Sequence, residues 1–120
     1  MTATRTTPAD ADAAKAGVLE AGARTLRALG GTYRCDQRIY PAPPSPHISA
    51  WEWSFPDEPA ALADKLARVL PGATREGATF RYTRDGQVEV TVSVESAERS
   101  RLSCGEIPAG ARSLVVASRR

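Results

Sequence analysis

From His47 to Phe55 apolar and polar residues alternate, with Trp51, Trp53 and Phe55 on one side and Ala50, Glu52 and Ser54 on the other. The pattern predicts a strand with one aromatic face. The period then lengthens. Leu62, Leu66, Val69 and Leu70 recur at helical spacing behind Asp57-Glu58-Pro59, which offers a cap, negative charge for the positive end of the dipole and a proline suited to a first turn. Pro71-Gly72 ends this helix. An earlier helical stripe, Val18, Leu19, Gly22, Leu26 and Leu29, starts from Thr7-Pro8-Ala9-Asp10 and stops at Gly30-Gly31, where glycine accepts the left-handed conformation. One helix is expected across it, although Gly17 and Gly22 each weaken it by about 1 kcal/mol relative to alanine.

Residues 78–95 predict a hairpin about Asp85-Gly86. Phe80 and Tyr82 share one face of its first strand, and Val88, Val90, Val92 and Val94 share one face of its second. A two-residue turn, pairing Arg84 with Gln87, splits these apolar groups between faces. A three-residue loop, Arg84-Asp85-Gly86, instead sets Phe80 beside Val90 and Tyr82 beside Val88, and this is the expected register. It leaves Arg81, Thr83, Glu89, Thr91 and Ser93 on the polar face. Thr32–Tyr40 reads as a short strand containing Cys35. Pro41, Pro43, Pro44 and Pro46 impose an extended, polyproline-like connection, a stiff surface loop or a ligand for an aromatic groove. A last short strand is expected around Leu114. The fold class is α+β: an antiparallel sheet of three to five strands with two helices packed on one face.

Composition narrows the class. At 120 residues, 42% hydrophobic and 25% charged, the chain fits one globular domain over 1–120, with 1–7 and 117–120 expected to fray. Sixteen basic residues against fourteen acidic leave a net charge of +2, too small to point to nucleic acid, even with Arg24, Arg27, Arg81, Arg84, Arg99 and Arg101 available to cluster. No apolar run reaches the length of a signal peptide or a membrane span, so a soluble chain is expected.

The chemistry is sparse. His47 is the one histidine, so a catalytic triad and a metal site cannot both be built, and no metal or cofactor is expected. Glu52, Glu89 and Glu95 have the pattern of solvated charges on a strand face. Gly30-Gly31 ends a helix where a phosphate loop begins one. Cys35 and Cys104 lack metal or redox spacing and leave two readings, a disulfide or two reduced thiols, of which the first is preferred. Thr32-Tyr33-Arg34 before Cys35 does not suit lipid attachment.

The succession of Gly30-Gly31, Tyr33-Arg34-Cys35-Asp36, the proline-rich loop, Trp51-Glu52-Trp53, Leu70-Pro71-Gly72, Phe80-Arg81-Tyr82-Thr83, the valine strand and Ser103-Cys104 resembles small exported or lipid-anchored α+β domains of high-GC actinobacteria. The resemblance implies an extracytoplasmic setting and a cysteine on either side of the Trp strand and hairpin. The expected function is non-enzymatic binding of another protein, with toxin neutralisation of the immunity type as its concrete form. The alternative is a small ligand-binding protein or enzyme with a pocket between sheet and helices, using Tyr40, His47 and Glu52. Candidate partner-binding residues are Tyr40, His47, Glu52, Arg81, Arg84, Asp85 and Glu89.

Overall fold

A computed structural model describes residues 8–20, 22–40, 42, 47–98 and 100–120. Its elements are α1 (Pro8–Leu19), α2 (Arg24–Ala28), β1 (Thr32–Ile39), β2 (Ile48–Phe55), α3 (Pro59–Val69), β3 (Thr74–Glu76), β4 (Thr79–Arg84), β5 (Gln87–Ser96) and β6 (Ser113–Arg119). All six strands join one antiparallel sheet in the order β1-β2-β6-β5-β4-β3. This α+β architecture exceeds the expected three to five strands and two helices. The additional strand is the short β3. The additional helix arises because the first helical stripe breaks after Leu19, with Gly22 at φ +83°, so α2 turns away as a separate element.

Local signals explain the helix ends. Gly30 takes φ +100°, its N–H donates to the Arg27 carbonyl, and the Gly31 N–H donates to the Leu26 carbonyl. This is the paired Schellman arrangement that satisfies terminal carbonyls. Gly31 is also needed for space, since a Cβ there would lie 2.5 Å from Phe55 Cζ. In α3, Glu58 is the N-cap, Pro59 opens the first turn and Leu62, Ala63 and Leu66 are buried.

The helices cover one face of the sheet. Val18, Leu26, Leu62 and Leu66 pack there with Trp53, Phe55, Phe80, Tyr82, Val90, Val92, Val94, Val115 and Ala117. Trp53 is fully buried and Trp51 lies partly buried at the margin, so the aromatic face of β2 is core. Of the C-terminal residues, 117–119 belong to β6, which lies between β2 and β5 and buries Ala117 completely. Residues 1–7, including the Thr7 cap, and the four loop prolines at 41, 43, 44 and 46 lie outside the described residues.

The opposite face carries Cys35, Ala50, Glu52, Leu114 and Val116. Residues 100–112 fold back over part of it: Leu102 packs on Ala50 and Val116, and a disulfide joins Cys104 to Cys35. Glu52 is therefore completely buried, which corrects its expected place on a solvated strand face. The Arg34 Nε–H donates to its carboxylate at 3.0 Å, the Ser100 hydroxyl donates at 2.7 Å and the Arg101 backbone N–H donates at 3.0 Å. Arg34 Nη2 donates onward to the carbonyls of Gly105 and Glu106, tying the loop to β1. Among the described residues, no helix is long and apolar enough to cross a membrane.

Candidate partner-binding surface

The hairpin sets the geometry of one end of the sheet. Asp85 and Gly86 take φ +53° and +78°, the two positive values required by a type I′ turn, and Arg84 pairs with Gln87. The expected three-residue loop is thus replaced by the tightest one. Apolar continuity is recovered by a bulge: Thr83 pairs with Val88, Tyr82 with Val90 and Phe80 with Val92, leaving Glu89 as the extra residue. Both aromatics meet valines two positions later than expected. Val88 drops out of the apolar face and is 37% exposed.

Glu89 leaves the expected polar row and reaches Lys15 of α1, whose ammonium donates to it at 2.8 Å. Lys15 also pairs with Asp12 at 3.2 Å and lies 6.0 Å from the centre of the Tyr82 ring. The hydrogen bond from Lys15 holds the Glu89 carboxyl below its ordinary range; attraction from Lys15 and Arg84 adds to this and partial burial opposes it. The same bond raises Lys15. Burial pushes the Tyr82 phenol up to about 12, and its hydroxyl donates to the Pro71 carbonyl.

A depressed folded-state carboxyl stabilises above its unfolded pKa, and that contribution disappears as pH falls through the folded value. The stability advantage of the native chain over Glu89→Gln should therefore be present at neutral pH and shrink towards zero below about pH 4. Urea unfolding of both chains across that range checks it; a pH-independent difference contradicts the ion-pair assignment.

Antiparallel pairing brings the ends of β1, β4 and β6 beside the starts of β2 and β5. Tyr40 and His47 flank the proline-rich connection with ring centroids 5.9 Å apart. Ile39 and Ile48 face each other beside them. Across β6 lie Val88, Glu89 and the Arg84-Asp85 turn, with Arg119 and Arg120 between the two groups. Tyr40, His47, Arg84, Asp85 and Glu89 therefore gather at one end. Arg81 stands inboard on the open face, paired with Glu76 at 2.7 Å, and Glu52 is inside the protein.

Ile39, Tyr40 and Val88 are exposed by 42%, 72% and 37%, and all three lie at this end. Of the residues that complete the surface, Ile39, Ile48, Val88, Arg119 and Arg120 were not among the expected candidates. The valine run offers no local sign that its first member is turned outward by a bulge, whereas Ile39 beside Tyr40 at a strand end was a usable signal. The surface is an open depression lined by Ile48, Val88, Glu89, Thr91, Ser118 and the two terminal arginines, continuous around Val88 with Arg84, Asp85 and Gln87. Ile48 and Val88 lie in it among polar and charged side chains. Comparisons with protein-family models, curated proteins and solved structures find no match to this chain.

Proposed function

We propose that this chain is a non-enzymatic protein-binding domain whose partner docks on the sheet end formed by Tyr40, His47, Ile48, Val88 and the Arg84-Asp85 turn. The observation that carries this reading is that Ile39, Tyr40 and Val88, the large hydrophobic side chains exposed among the described residues, all lie at this one end of the sheet, where Ile48 and Val88 share a depression. Tyr40 adds a broad amphipathic ring of the kind that anchors interfaces. Toxin neutralisation is the concrete form of this role. An extracytoplasmic setting accompanies it, supported by the Cys35–Cys104 disulfide, a bond that persists in oxidising compartments.

Co-purification from the native host tests the reading. The native chain should retain one protein in near-equal amount, and a Tyr40→Asp/Val88→Arg double variant with an unchanged melting curve should lose it. Equal retention by both chains, or no specific protein with either, overturns the assignment.

A further inference from the structure

We propose that the partner presents an acidic protein segment whose carboxylates flank an aliphatic or aromatic side chain seated against Val88 and Ile48. This rests on the protein-binding reading and adds the chemistry of the partner. Arginines on the strands away from this end are neutralised within the fold: Arg34 by Glu52 at 3.0 Å, Arg75 by Asp64 at 3.0 Å and Arg81 by Glu76 at 2.7 Å. At this end the pattern changes. Arg84 is 61% exposed and reaches Asp12 and Glu89 only at 3.7 Å. Among the described residues, Arg38, Arg119 and Arg120 make no ion pair, and Arg119 and Arg120 line the depression that holds Ile48 and Val88. The local acids Asp12 and Glu89 are shared between Lys15 and Arg84, which leaves Asp85 at the turn, so Arg119 and Arg120 have no acid partner within this end.

Positive charge is thus left uncompensated beside exposed apolar surface. Arg24, Arg27 and Arg68 also lack ion pairs among the described residues, but α2 and α3 expose no large hydrophobic side chain beside them. Guanidinium groups recognise carboxylates in bidentate fashion, and a rim of uncompensated charge selects a partner of opposite sign and accelerates its approach. The aliphatic floor and the interleaved Asp85 and Glu89 fit a peptide better than a phosphodiester backbone, whose charge is unbroken.

Selection from a random-peptide display library on the full chain, with counter-selection on Val88→Arg, tests the proposal. Enriched peptides should carry Asp or Glu on either side of an apolar residue. They should bind the Arg119→Glu/Arg120→Glu variant roughly tenfold more weakly and lose affinity as salt rises. Uncharged or basic peptides that bind the native chain and not Val88→Arg overturn the acidic partner while leaving the binding reading intact. No Val88-dependent enrichment overturns both. Salt-sensitive retention of duplex or single-stranded DNA that disappears in the double Arg variant also overturns the proposal.

Discussion

Replacing Glu52 by alanine is expected to destabilise the domain by about 3–5 kcal/mol, the range for removing one partner of a buried ion pair. The substitution takes away the acceptor for Arg34 Nε, the Ser100 hydroxyl and the Arg101 N–H together. The guanidinium left behind is only 5% exposed, and its Nη1 is already buried without a hydrogen-bond partner. A charge in that position has no water to return to. Since small domains are held by only about 5–15 kcal/mol, the loss is a large share of the total. An Arg34→Met/Glu52→Leu double variant should recover much of it, because removing both charges also removes their desolvation. Urea unfolding of the oxidised proteins makes the comparison; a Glu52→Ala chain within about 1 kcal/mol of the native one contradicts the assignment.

Opening the Cys35–Cys104 bridge is expected to cost about 4 kcal/mol, from the freedom returned to the unfolded chain by a cross-link spanning 69 positions. A Cys35→Ser/Cys104→Ser variant, or the native chain under reductant, should unfold at a clearly lower urea concentration. The two predictions are coupled. Cys35 pairs with Glu52 across β1 and β2, and Cys104 donates its backbone N–H to the Ser100 hydroxyl, which in turn donates to Glu52. With the bridge open, residues 100–112 are held less firmly, so Glu52→Ala should then cost less than it does in the oxidised chain. Additive losses in the combined variant would argue that bridge and ion pair hold the loop independently. A mass measurement with and without reductant establishes the starting state, and two free thiols would remove the prediction.

Features set by neighbouring residues were legible in the sequence. The Gly30-Gly31 stop, the leucine spacing of α3 and the alternation through Trp51, Trp53 and Phe55 each act within a few positions, and each appears in the fold. Partnerships over long separations were not. Alternation shows that Glu52 shares a face with Ala50 and Ser54, but not that an irregular loop some fifty positions later covers that face; such a loop has no period to detect. The small residues on either side of Glu52 were the available hint, since a solvent-facing row has no need of them. The hairpin failed differently. Asp85-Gly86 prefers the tight turn and the aromatics prefer the valines, and one extra residue in β5 satisfies both demands. The candidate surface inherited that error, because the same bulge moved Val88 outward and Glu89 towards α1.

The central position of β6 places a condition on synthesis. As the chain emerges, β1 and β2 can form one ribbon and β3, β4 and β5 another, yet the strand that joins them is the last of the six to be made. Until residues 113–119 appear, β2 and β5 each present a free edge, with Trp53 on one side of the gap and Val94 on the other. Such edges pair readily with strands of other chains. The nascent protein therefore keeps two unpaired edges until β6 is delivered, and this last strand must find both of them to close the sheet.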